Sequence, residues 1–287
     1  MTHESRLNLS SLRGWRRLGF GLALLGMLAA PMFGQKKDEE AKEAPFTAVR
    51  AADSDTIAIN NAGQVTLSMA QAPSSATDAK LLIVNSANFA LWSAPLSRVG
   101  GKWTAQLDLP AVEALLTGNA VQAEFPGAAP DGKKDFRVSF VRDMFSSELA
   151  ATASLVKPNQ PLFYKAPEKP EPLETISSDT DAVHMGSYAM ASRRYDEQLS
   201  AYRSKLIVAK ASAHALWSDI KTADRLPEWP ASLIAAQEKA YKSLQTEIDA
   251  VAKLRDTHRA TAESVVSAWN SANSDADEIP LTFRAES

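Results

Sequence analysis

The sequence predicts an α+β chain in two parts, a small antiparallel β-sandwich followed by a long antiparallel α-helical hairpin of coiled-coil type. Three observations predict it. Short runs of alternating hydrophobicity fill residues 47–145, prolines crowd the stretch after them, and from residue 178 onward the period of the apolar positions switches from two to between three and four. With 287 residues, 45% hydrophobic and 23% charged, the chain has enough ordinary globular material for roughly two modest domains.

Residues 1–34 read as a signal peptide or N-terminal membrane anchor. A basic flank, Arg13, Arg16 and Arg17, precedes seventeen uncharged residues from Leu18 to Gly34, and the charged run Gln35 to Glu40 follows at once. A positive flank, an apolar stretch and small residues at its end are the parts of an export signal. The cleavage point is ambiguous, since Pro31 follows Ala30 and Met32 lies three residues before any cut after Gly34. An uncleaved anchor therefore also fits, with the arginines holding the N-terminus in the cytoplasm. Either way the expected address is outside the cytoplasm, in the periplasm or on the extracytoplasmic face of the membrane. Residues 35–46 form a charged spacer.

Residues 47–145 carry the β-domain. The expected strands are 56–59, 64–69, 80–84, 89–92, 102–109, 119–125 and 136–141. Val65, Leu67 and Met69 would face one side, as would Trp103, Ala105, Leu107 and Leu109, and Phe136, Val138 and Phe140. Gly100-Gly101 is a hairpin signal, Gly118-Asn119 opens a strand, and Asp131-Gly132 lies in the last loop. About seven short strands in a hundred residues predict a small sandwich, loosely immunoglobulin-like. Trp92 and Trp103 alternate with strand residues and are expected in its core.

Residues 146–177 form a Pro-rich linker, with prolines at 158, 161, 167, 170 and 172 favouring an extended spacer. The hairpin, 178–273, opens on Ser178, Asp179 and Asp181 as capping groups. Its first apolar stripe runs Tyr188, Ser192, Tyr195, Leu199, Tyr202, Leu206, Ala209, Ala213, Leu216 and Ile220. Pro227 and Pro230 punctuate a tight connection. The second stripe runs Leu233, Ala240, Leu244, Val251, Leu254, His258, Val265 and Trp269. Folded back at the prolines, position i faces about 453 minus i, which sets Tyr195 against His258 with a hydroxyl-to-imidazole hydrogen bond expected between them. A bare hairpin of this kind buries one stripe per helix, so it is expected to dock on the β-domain, self-associate or hold a partner helix. The tail, 274–287, is acidic and then alternates Ile279, Leu281 and Phe283, which fits a returning edge strand or a frayed end.

Several chemistries have no anchor. The chain contains no cysteine, so disulfides, thiolate metal sites and Cys nucleophiles are out. Its net charge of −3 includes Arg6, Arg13, Arg16 and Arg17 against Glu4 in the first 34 residues, leaving about −6 for the remainder and no basic stripe for nucleic acid. Gly127 to Lys134 matches a phosphate loop up to the lysine, but Lys134 stands where the magnesium hydroxyl belongs, and a strand is expected next instead of a helix. His3, His184, His214 and His258 have no metal-ligand spacing, and no G-x-S-x-G elbow occurs. The acidic runs at 38–40 and 275–278 lack the spaced oxygens and Gly turn of a calcium loop. No catalytic, cofactor-binding or metal-binding residue is therefore nominated, and no cofactor is expected.

The sequence thus points to a noncatalytic envelope protein that works through interaction or scaffolding. The expected partner is a protein, or a second copy, engaged through the hairpin, with the membrane as a further partner if the N-terminal segment is retained. Two alternatives remain open. Periplasmic adaptor proteins of export and efflux assemblies also join β-domains to a coiled-coil hairpin, although there the hairpin interrupts a split lipoyl-type domain and here it follows the β-domain. An exported hydrolase would require carboxylates converging in a cleft.

Overall fold

A computed structural model describes residues 46–285 except 74, 75, 77, 130–133 and 227. The export segment and most of the charged spacer lie outside these residues.

Among the described residues nine strands form two sheets. The first contains β1 (Phe46–Arg50), β9 (Asp135–Val141), β8 (Ala120–Phe125), β4 (Lys80–Val84) and β5 (Ala90–Pro95) in that order. The second contains β2 (Thr56–Ile59), β3 (Gln64–Ser68), β7 (Lys102–Gln106) and β6 (Ser97–Val99). The two sheets share one core. Val65 and Leu67 of β3 and Trp103 and Ala105 of β7 meet Leu81 and Ile83 of β4, Val121, Ala123 and Phe125 of β8, and Val138 and Phe140 of β9. Alternation along each strand makes this possible, because residues two apart share a face. Trp103 meets the Phe125 ring edge to face at 5.2 Å, and Trp92 is partly buried against the same core.

The two-residue Gly100-Gly101 turn joins β6 to β7, with φ of 55° and 81°, so both residues use a backbone region that favours glycine. The near phosphate loop falls in the connection between β8 and β9, whose pairing starts at Phe125 with Phe136, and the element that follows it is a strand. Positions 130–133 of that connection are outside the described residues.

Three features of this domain depart from the sequence reading. β1 and β6 were not among the expected strands: β6 has three residues, all exposed, and β1 has no apolar alternation of its own. β1 runs parallel to β9, from Phe46 beside Asp135 to Arg50 beside Ser139, so the first sheet is mixed and not purely antiparallel. And the expected strand 102–109 ends at Gln106, where helix α1 (Leu109–Thr117) takes over. The Asp108 carboxylate caps α1 by accepting from the Ala111 N–H at 2.9 Å, and Pro110 sits in its first turn.

After β9 the chain makes two short 3-10 turns around α2 (Leu149–Thr152) and then runs extended to the hairpin. Helix α3 (Ala182–Thr222) has 41 residues and α4 (Ala231–Ala272) has 42, each about 60 Å long. Asp181 caps α3 through the His184 N–H. The helices pair in the expected register: the Tyr195 and His258 rings lie 4.9 Å apart, Lys210 reaches Gln245, and Trp217 reaches Glu238.

The buried stripes differ in detail. Trp217 replaces Leu216, which is exposed, because the stripe advances by four after Ala213. Ala209 is only half buried. On α4 the seam takes Arg255 where Leu254 was expected, and Val266 where Val265 was expected. Arg255 goes inward because a buried acid, Asp196, faces it. The Tyr195–His258 contact is edge to face, and the His258 Nε2 pairs with the Ser192 carbonyl at 3.0 Å in place of the expected hydroxyl bond.

Candidate functional site

The hairpin is not bare, because three parts of the same chain close on it. At its turn, α1 lies between sandwich and hairpin. Ala111, Ala114 and Leu115 face the sandwich core, while Val112 and Leu116 join Trp217, Ile220, Leu226, Trp229 and Leu233 in a second core. Like any helix, α1 leaves its last carbonyls without intrahelical donors. Two arginines supply them. Arg142, just after β9, donates Nη1 to Leu115 O at 2.8 Å and Gly118 O at 3.2 Å. Arg225, in the hairpin turn, donates Nη1 to Leu116 O at 2.9 Å and Gly118 O at 3.4 Å. Burial, together with the charge of Arg225, pushes Arg142 down to about 10.

The linker is the second cover. Gln237 of α4 is fully buried, and its carboxamide accepts from the Leu162 N–H at 3.0 Å while donating to the Lys157 and Gln160 carbonyls. Glu113 of α1 accepts from the Phe163 N–H at 2.7 Å, and burial raises its carboxyl above the ordinary range. Beyond this clamp, Tyr164, Leu173 and Ile176 pack along the helices toward the far end. The first part of residues 146–177 is helical, in α2 and the turn after it, and the extended part that follows is laid against the hairpin. There Trp269 donates Nε1 to Thr180 O at 2.7 Å, tying the end of α4 to the start of α3.

The tail is the third cover. No strand forms in it among the described residues. Instead Ile279 exchanges two hydrogen bonds with the Asn270 carboxamide, at 3.0 and 3.1 Å, and Ile279, Leu281 and Phe283 pack against Met185, Ala262, Val266 and Trp269. Arg259 holds the end of this run, with its guanidinium 5.4 Å from the Phe283 ring centre and Nη2 donating to Arg284 O at 2.8 Å.

Beneath the tail lies the strongest electrostatic feature of the hairpin. Asp196 is 1% exposed and both its oxygens are held in two forks. Arg255 donates Nε to Oδ1 at 2.7 Å and Nη2 to Oδ2 at 3.0 Å; Arg259 does the same at 2.6 and 2.9 Å. Paired parallel bonds of this type are the strongest geometry available to an arginine and a carboxylate. Burial opposes ionisation of Asp196, but the hydrogen bonds from Arg259 and Arg255 outweigh it and hold the carboxyl below its usual range.

Other buried acids are equally engaged. Glu124 pairs with Arg137, and Asp55 accepts from the Ala52 and Ala70 N–H groups to close a turn. The exposed His184 lies in the first turn of α3, where Asp181 caps its N–H and also pairs with its imidazole, and His214 is exposed with Glu238 at 3.8 Å. Among the described residues no three of these side-chain types gather at metal-binding spacing. The Asp196 cluster was not nominated from sequence. The signal for it was a charge at a seam position on each helix, Asp196 on α3 and Arg255 on α4, facing each other in the 453-minus-i register to within two residues.

Among the described residues several large apolar side chains point outward. Val183, Met190 and Val208 are 76%, 60% and 64% exposed and share one line along α3, opposite the seam, since they are separated by about two and five whole turns. Phe89 and Leu91 are exposed at the start of β5, an edge strand. Among the described residues no helix is long and apolar enough to cross a membrane. No protein-family model matches the chain, and neither curated proteins nor solved structures give a match.

Proposed function

We propose that this protein is a noncatalytic interaction or scaffold protein of the cell envelope, presenting the outer face of α3 to a protein partner or to a second copy of itself. One observation carries this reading. The buried polar groups at the junction and the seam are committed to holding the hairpin rigidly, while Val183, Met190 and Val208 stay exposed on a single line of that rigid rod. Exposed apolar side chains on a rigid helix give a partner surface to bury. The envelope address rests on the basic and apolar pattern of residues 13–40. An adaptor-like subunit of an export assembly is less well supported, because the tail runs onto the hairpin and does not pair with either sheet.

The test is to express the full chain with a C-terminal tag in a Gram-negative host, place a photo-crosslinking residue at 183, 190 or 208, and fractionate after illumination. Recovery from the envelope with discrete crosslinked products from these positions, and none from exposed Lys242 on α4, is the expected result. Recovery of the intact chain from the cytosol overturns the address. Uncrosslinked protein at all three positions overturns the surface.

A further inference from the structure

The second half of α3 carries a further heptad stripe, and this one faces outward. Lys205, Val208, Ser212, Leu216 and Asp219 follow one another at steps of three, four, four and three, and all five are exposed. Threes and fours keep a stripe on one side of a helix, and the buried seam occupies the other side. The steps read the same in both directions about Ser212. Turned end for end on a second copy, Lys205 meets Asp219, Val208 meets Leu216, and Ser212 meets itself, which is the self-complementary arrangement a two-fold axis requires. Charge and shape both fit this occupant. Lys205 and Asp219 make no ion pair with any described residue, although Lys205 borders a cleft that also holds Glu168 and Glu171. The stripe holds one charge of each sign, so the two-fold sets opposite charges together twice. Beside Val208, Pro167 of the linker closes an open hollow whose wall is almost wholly apolar, completed by Ser204, Lys205 and Ala209. Leu216, 36% exposed, is the side chain that the second copy brings to that hollow.

We propose that α3 pairs antiparallel with α3 of a second copy about a two-fold axis at Ser212, making the protein a symmetric dimer. The inference rests on the outer face of α3 being a partner surface, and it names the partner for the stretch around Val208. Val183 and Met190 lie outside that stretch. Burial of Val208 and Leu216, each twice, supplies the apolar gain. Ser212 at the centre, with Ala211 and Ala215 beside it, is small enough to let the helix axes come close. The Lys205–Asp219 pairs at either end fix register and orientation more than they add affinity.

The chain has no cysteine, so one introduced thiol reports the contact directly. The full chain is purified in mild detergent, and Ser212→Cys is oxidised and run on a non-reducing gel beside Ser187→Cys, an exposed control on the same helix outside the pairing. A disulfide-linked dimer from Ser212→Cys and none from Ser187→Cys is expected. In sedimentation equilibrium, Lys205→Asp and Asp219→Lys should each weaken the dimer roughly tenfold or more, because each sets like charges together twice, and the double exchange should restore it. A monomeric parent chain, equal crosslinking at both cysteines, or a double exchange no better than the single ones overturns the pairing. Photo-crosslinks from position 208 to a protein of another mass, with no dimer from Ser212→Cys, overturn the second copy and leave the partner surface in place. No product from 183, 190 or 208 removes both.

Discussion

Arg142 and Arg225 donate to the same atom, the Gly118 carbonyl, from opposite sides of the boundary between sandwich and hairpin. One belongs to the β-domain and the other to the hairpin turn, 83 positions apart in the sequence. Together they supply the final carbonyls of α1, and so a helix end that would otherwise be unsatisfied becomes the rivet between the two parts. Replacing Arg225 with Ala removes two charge-assisted bonds and is expected to cost about 2 kcal/mol in urea unfolding. It should also raise protease sensitivity in the 223–230 turn while leaving the sandwich strands protected from hydrogen exchange.

Asp196 is the next test. Removing one partner of a buried, forked ion cluster leaves charge without compensation, so Asp196→Ala is expected to lose about 3–5 kcal/mol, and Asp196→Asn less. The pH dependence has a definite sign. The folded carboxyl lies below its unfolded value, so its contribution is complete above about pH 4 and fades as pH falls through the lower folded pKa. The acid limb of the stability curve should therefore be shallower in Asp196→Asn than in the parent below pH 4, with parallel curves at neutral pH.

The helices and most strands were legible because their signals are local and periodic. Tyr188 to Ile220 repeats at threes and fours, and Val65, Leu67 and Met69 alternate, whatever the rest of the chain does. What could not be read was long-range. β1 has little hydrophobic pattern and becomes a strand only by pairing with β9, 89 residues away, an arrangement that the run Phe46–Arg50 does not encode alone. The covers of the hairpin were hidden for the same reason, since Gln237 looks like an ordinary surface residue until the Leu162 N–H and two carbonyls arrive beside it. Helix α1 is different: Asp108 followed by Pro110 was a local start signal, outweighed by the alternation of Trp103, Ala105, Leu107 and Leu109 that precedes it.

Trp229 anchors the turn of the hairpin to α2. Its ring lies 6.3 Å from that of Trp217, and its buried Nε1 donates to Leu149 O at 3.1 Å. Trp229→Phe keeps most of the packing and loses the hydrogen bond, for an expected cost of about 1 kcal/mol. Trp229→Ala empties the site and is expected to cost about 3–5 kcal/mol. Guanidinium unfolding followed by tryptophan fluorescence and by helical circular dichroism should give coincident transitions in the parent chain. In Trp229→Ala the two probes should separate, because the sandwich and the hairpin then unfold with less coupling.

The contacts that hold the tail on the hairpin can be tested one by one. Phe283 is half buried against His258, at 6.1 Å between rings, and Arg259 lies over it. Phe283→Ala should cost about 1–2 kcal/mol from lost apolar burial. Asn270→Ala removes the reciprocal bonds to Ile279 and should cost about 1 kcal/mol. In both variants hydrogen exchange should accelerate at Ile279 and in the α4 segment from His258 to Asn270. An edge strand paired to the sandwich would behave otherwise, passing the loss of protection to β1 or β5. Faster exchange in α4 with β1 and β5 unchanged is the expected result, and a rise confined to β1 or β5 overturns the placement of the tail on the hairpin.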